Sequence, residues 1–408
     1  MTVVQASYSS PISYAPAFAK VRELLATGIE EGVFPGAVLM VGKRGEIIFQ
    51  EAVGVLSKED PEVNNPMRLE TVFDIASLTQ PIVTTTLMML LLERGKLKLS
   101  DKVTRYVPGF GVHGKSDITI KHLLEHTSGL VHWHPFYEEI VSLSASSRMG
   151  ILASSTAKDY VYQQISRLGL KHKPGTMQVF SDVGYIILGQ IAERLIGAPL
   201  NKIAYKMIFQ PLGMNSTSFI DLPMLKRGAL EAQTDMVAPT EYCAWRKRTL
   251  IAEAHDDNAW AMGGISGHGG LFTTARDLHI FASNMLAASL GLDSIVSQKS
   301  IREFWYPWVE PFAPKAIADG QIRSNYSEAP HKWRFGWEGP NEDNRMIEGG
   351  MSPFAVGHSG FTGCSLWLEP ELGLDIILMT NRIHPSRNNK KILDYRPKIH
   401  EAVIAAVI

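Results

Sequence analysis

Apolar positions recur at helical spacing over residues 16 to 32 and stop at Gly32. Strand-like apolar runs then occupy residues 37 to 41 and 47 to 49, on either side of the polar Lys43-Arg44-Gly45-Glu46. This pattern predicts a helix followed by a β-hairpin. A dense apolar stretch at residues 82 to 92 predicts a long buried helix that starts near residue 77. Residues 101 to 240 are cut into helical segments by glycine and proline, as in Val107-Pro108-Gly109 and Lys173-Pro174-Gly175-Thr176. From about residue 330 the pattern returns to short β-like runs, at 333 to 337, 355 to 358, 365 to 368 and 374 to 380, before a final helical stretch near 392 to 408. The expected class is α+β, a single unit over residues 1 to 408. Residues 16 to 75 and 330 to 408 form its α/β part, and residues 101 to 240 a mostly helical part.

Composition narrows the function classes. The 408 residues are 45% hydrophobic and 20% charged, as expected of a globular chain with a sizeable core. Forty basic side chains balance forty-one acidic ones, the net charge is −1, and no basic run or basic helix is present. Nucleic acid and anionic membranes are therefore not expected partners. Cys243 and Cys364 lie far apart and outside any Cys-x-x-Cys pattern, so two free thiols are expected, with a disulfide as the alternative. No basic residue precedes Lys20 and no apolar run of signal-peptide length is present there, which points to a cytoplasmic location. The apolar stretch at 82 to 92 is shorter than the roughly 20 residues that span a bilayer.

The candidate chemistry starts at Ser77-Leu78-Thr79-Gln80. A serine at a helix start sits among unpaired backbone N–H groups, which stabilise a developing alkoxide, and a side chain one turn on lies beside it. Lysine at the fourth position would make Ser-x-x-Lys, in which the amine helps to deprotonate the serine. Here the fourth residue is glutamine, whose amide takes no proton at any useful pH.

Four further segments extend the pattern: Glu125-His126-Thr127-Ser128-Gly129-Leu130, Phe180-Ser181-Asp182, the glycine-rich stretch from Gly263 to Thr274, and Gly357-His358-Ser359-Gly360. In order and spacing they resemble the class C β-lactamase, penicillin-binding and esterase superfamily over roughly residues 20 to 400. The resemblance implies an antiparallel sheet of five or more strands flanked by the two terminal helices, beside a helical domain, with the site in the crevice between them. It also implies covalent acylation of Ser77, with an oxyanion hole from the Ser77 backbone N–H and one on the strand after His358. Two motif positions depart from that family: glutamine replaces lysine at Gln80, and phenylalanine replaces tyrosine at Phe180. Both changes delete only proton-handling atoms.

On this reading Ser77 is the nucleophile and His358 is a substitute base, or else shapes the site and contacts substrate. Gln80, Phe180, Asp182, Ser359 and Gly360 line the substrate position. Gln80 fills the lysine's space, and Asp182 is a polar contact or, if buried, a weak base. The ligand is a small acyl, ester or peptide-like molecule. No cofactor or metal is required, and His132-Trp133-His134 lacks a third ligand at metal spacing. His126 is expected to support the fold. His255 and Asp257 either line the pocket or cap their loop. Trp305, Trp308, Trp333 and Trp337 belong to the core or cover the pocket. The expected function is a serine hydrolase of esterase, peptidase or β-lactamase type with reduced activity; the alternative is a catalytically inactive member that binds a peptide-like or acyl ligand or a protein partner.

Overall fold

The computed structural model describes residues 16–58, 65–147, 150–228, 234–306, 332–346 and 349–408. Trp308 lies outside the described residues. Helix α1 (Ala19–Glu30) leads into the hairpin β1 (Gly36–Lys43) and β2 (Glu46–Gly54), and the far end of the chain supplies β3 (Val356–Ser359), β4 (Ser365–Glu369) and β5 (Leu374–Thr380). These five strands form one antiparallel sheet in the order β2-β1-β5-β4-β3. The α+β class and the flanked antiparallel sheet expected from the sequence are both present.

Strand β1 explains the sheet's position. Its alternate residues Ala37, Leu39 and Val41 pack with α1 and the C-terminal helix α5 (Ile392–Val407) on one face, while Val38 and Met40 join the larger core shared with α4 (Ala275–Ser289). A strand covered on both faces reads as a continuous apolar run rather than an alternating one. Between the hairpin and α4 lie the helical segments, among them α2 (Thr86–Glu93) and α3 (Asp182–Ile196). Among the described residues no single helix is long and apolar enough to cross a membrane. Both cysteines are free and buried.

Trp367 on β4 is fully buried under the terminal helices, and Gly357 of the neighbouring β3 leaves room for its ring; a Cβ at Gly357 would lie 2.2 Å from it. Trp367→Ala is expected to cost about 3–5 kcal/mol, read from the shift of the urea unfolding midpoint. A loss below 1 kcal/mol would mean that this layer repacks freely.

Two expectations are corrected. Residues 333 to 337 do not form a strand: Gly336 has φ +78 and turns the chain, Arg334 N–H bonds Trp337 O at 2.8 Å, and only isolated bridges link Trp333 to Glu338 and Glu338 to Gly357. Their apolar pattern reflects burial of Phe335 and Trp337 in the core rather than membership of the sheet. The run beginning near residue 77 is not one α-helix either. A 3₁₀ turn (Ala76–Leu78) passes into a π-helical stretch (Gln80–Thr85) and only then into α2. Pro81 at the start of that stretch brings no N–H to the helical ladder.

Candidate active site

Ser77 is positioned by a short strand and a strained turn. Phe73–Asp74 pairs with Leu271–Thr273, and Ala76, directly before the serine, adopts φ +48, a left-handed conformation costly for a residue with a Cβ. The buried Asp74 carboxylate holds the turn: Oδ1 accepts the Ala76 N–H at 2.8 Å and Oδ2 accepts the His255 N–H at 2.7 Å. Burial nevertheless pushes the Asp74 carboxyl up from its ordinary value, against these two bonds. The chain after β3 closes on the same turn. Thr362 Oγ1 donates to Asp74 O at 2.7 Å, and a Cβ at Gly360 would come within 2.4 Å of Ile75 O.

This contact leaves two backbone donors unused. Leu78 N–H bonds Ile75 O, Gly360 N–H bonds Cys364 O and Gly363 N–H bonds Gly360 O, but the N–H groups of Ser77 and Phe361 donate to no acceptor among the described residues. Ser77 itself is half-buried. Free amides on two turns that touch at Gly360 and Ile75 are the kind of donor from which an oxyanion hole is built.

Gln80 is fully buried, and its Nε2 donates to Asp182 Oδ1 at 3.0 Å, while Oε1 has no partner. Asp182 opens α3. The preceding Ser181 caps that helix by accepting the Gly184 N–H at 3.2 Å, and its own N–H donates to His126 Nδ1 at 3.1 Å. His126 thus supports the motif loop. Behind Asp182 lies a pair that the sequence did not assign: His268 Nε2 meets Asp256 Oδ1 at 2.8 Å, and His268 Nδ1 meets Ser266 Oγ at 2.8 Å. Burial raises both aspartates. At Asp182 it prevails over the nearby His268 and lifts the carboxyl to about 6, whereas at Asp256 the charge and hydrogen bond of His268 override it and hold the acid well below the usual range. The only signal for this pair was the unusual density of His, Asp and Gly in residues 255 to 271.

Phe180 packs in an aromatic cluster with ring centroids 4.7 Å from His126, 5.0 Å from Trp333 and 6.1 Å from His358. His358 is 1% exposed, its Nδ1–H donates to Ser359 O at 3.1 Å, and Nε2 has no partner. Burial pulls the ring down to about 4, so it stays neutral at physiological pH and is a weak proton acceptor there. An unfolded chain protonates histidine near 6.5, so between that value and about 4 the unfolded state binds more protons than the folded one. The group's contribution to stability is therefore complete above about 6.5 and is lost as pH falls toward 4. The Tm of the native chain relative to a His358→Asn variant is expected to drop across that window. A difference independent of pH would show that the ring is not held neutral.

The fold thus brings Ser77, Gln80, Phe180, Asp182, His358, Ser359 and Gly360 to one place. His255 pairs with Glu241 at 3.1 Å and stacks on Phe361, while Asp257 accepts from Trp245 and Arg246; both side chains are engaged within the loop network. Trp305 and Trp337 are core residues and Trp333 joins the aromatic cluster. Among the described residues no group of three His, Cys, Asp or Glu could hold a metal ion.

The family model for Beta-lactamase matches residues 21–398. The chain belongs to the beta-lactamase family. Within the family, it is 31% identical over 385 residues to the N-acetylmuramyl-L-alanine amidase of Bacillus subtilis (strain 168), covering 90% of this chain and 81% of that protein. Solved structures with the same fold include EstCE1, a hydrolase with promiscuous acyltransferase activity (TM-score 0.69, 21% identity, 96% of this chain and 99% of that one). The octameric penicillin-binding protein homologue from Pyrococcus abyssi is a second (TM-score 0.65, 21% identity, 89% and 73%). Hydrolase relatives across this beta-lactamase family support a serine-hydrolase type for the chain.

Proposed function

We propose that this beta-lactamase family member acts through an acyl-Ser77 intermediate, at a strongly reduced rate, on a small acyl, ester or peptide-like ligand. The pair of free N–H groups on Ser77 and Phe361 carries this reading. Ser77 Oγ forms a bond to the acyl carbon, the oxygen charge that develops is met by the two amides, the leaving alcohol or amine departs with the serine's proton, and water later releases the acid. The amidase relative supports an amide-linked acyl group.

The reduced rate follows from the proton. Gln80 cannot accept it, His358 is buried in its neutral form, and Asp182, lifted to about 6 by burial, is the carboxyl bonded to Gln80. The Gln80–Asp182 hydrogen bond favours a second reading, a site that binds such a ligand without turning it over, because it engages the Asp182 carboxyl with an amide that takes no proton.

Intact-mass measurement after incubation with a fluorophosphonate, and separately with a p-nitrophenyl ester, separates the two. One adduct per chain that disappears in Ser77→Ala, with slow ester turnover, is the expected result. An adduct without turnover would place the defect in deacylation. No adduct in the folded protein would leave only the binding reading.

A further inference from the structure

Two buried arginines grip the turn after β3. Arg382, 5% exposed, donates from Nη2 to Phe361 O at 2.6 Å, and its guanidinium lies 4.8 Å from the Phe361 ring centroid. The same guanidinium ties the turn to the following loop through Arg387 O and Asn389 O. Arg396, on α5, donates from Nη1 to Ser359 Oγ at 2.9 Å and from Nη2 to Gly363 O at 3.0 Å. Neither arginine makes a close ion pair among the described residues, although the Glu338 carboxylate acts on Arg396 from farther away. Arg396 gives both of its Nη donors to the turn of residues 359 to 363, while Arg382 gives Nη2 to that turn and Nη1 to the 387 to 389 loop.

The placement of these bonds matters more than their number. Gly360 and Gly363 amides are used inside the turn, Arg382 takes the Phe361 carbonyl, and Arg396 holds both ends. The His255 ring stacks on the Phe361 ring at 5.5 Å with planes 16° apart, so Phe361 is fixed through its side chain as well, although 48% of it remains exposed. The polar backbone group that these contacts leave unpaired at Phe361 is its N–H. A donor misplaced by about 1 Å can cost on the order of 100-fold in rate, so residues that hold its direction act on the reaction without touching substrate.

We propose that Arg382 is a positioning residue of the acyl site: by holding Phe361 through its carbonyl and its ring, it aims the Phe361 N–H at the acyl oxygen on Ser77, with Arg396 fixing the ends of the same turn. This rests on the acyl-Ser77 reading. Its rival is a purely structural role, in which Arg382 only anchors residues 387 to 389.

The test compares the full-length chain with Arg382→Gln, Arg382→Lys and Arg396→Lys, by fluorophosphonate labelling rate, p-nitrophenyl ester kinetics and amide hydrogen exchange over residues 356 to 366. The expected result for Arg382→Gln is labelling slowed about 10- to 100-fold, with kcat lowered and KM held. Partial recovery is expected in Arg382→Lys, which keeps one donor, together with faster exchange at Gly360 and Gly363 and unchanged exchange in β5. Native labelling rates in a folded Arg382→Gln, or equal losses of kcat and stability with no recovery by lysine, would overturn the proposal. Should no form label, the native chain included, the acyl-Ser77 reading fails by itself. Exchange then decides whether Arg382 holds the turn, and unchanged exchange in Arg382→Gln rejects that too. If the glutamine variant does not fold, the lysine variant carries the same comparison.

Discussion

Introducing lysine at position 80 and tyrosine at position 180 together is expected to raise p-nitrophenyl ester hydrolysis by about 100- to 10,000-fold, the range that a positioned acid–base group contributes. The surroundings are ready for both groups. Asp182, already bonded to the side chain at position 80, offers a carboxylate to an ammonium, and that charge would draw its raised protonation value back down. A phenol at position 180 would bring a hydroxyl into the aromatic cluster where His358 Nε2 has no partner. The single variants Gln80→Lys and Phe180→Tyr are expected to gain little alone, since members of one catalytic unit do not contribute independently. The check is kcat/KM for the four forms, each paired with its Ser77→Ala counterpart. A folded double variant with no gain would mean that something other than the missing base limits Ser77.

Gly360→Ala is expected to damage the site from the opposite side. The added Cβ would lie 2.4 Å from Ile75 O and 3.1 Å from Leu78 Cδ1. The closer atom belongs to the backbone of the Ser77 turn, so no flexible side chain can move aside. The turn after β3 must lift, which loosens the Thr362 bond to Asp74 O and withdraws the Phe361 N–H from the serine. Overpacking of this kind costs about 1–3 kcal/mol, and loss of one oxyanion donor about 100- to 1,000-fold in rate. Urea unfolding and fluorophosphonate labelling measure the two effects separately. Labelling at the native rate in the alanine variant would rule out this turn as part of the acyl site.

Local patterns were sufficient for much of the protein. Hydrophobic spacing gave the first helix, the hairpin, the last strands and the final helix, because strand and helix periods are properties of neighbouring residues. The serine, its glutamine and the His358-Ser359-Gly360 edge were visible as short motifs for the same reason. The apolar run at 333 to 337 misled, because burial produces the same composition whether a segment joins a sheet or turns back at Gly336.

Contacts between distant residues were decided only by the tertiary structure. Gln80 meets Asp182 across 102 positions, and His358 is held neutral by burial among rings drawn from residues 126, 180 and 333. The His268–Asp256 pair gains its place near Asp182 from the fold of the 255 to 271 loop, and the grip on the Phe361 turn comes from Arg382 just after β5 and Arg396 on α5. Charge, protonation and the direction of an N–H depend on the atoms and the dielectric within a few ångströms, and those neighbours are assembled from the whole chain. The sequence by itself determined which groups are present at this site and which proton-handling atoms are missing; the fold decided what the remaining ones face.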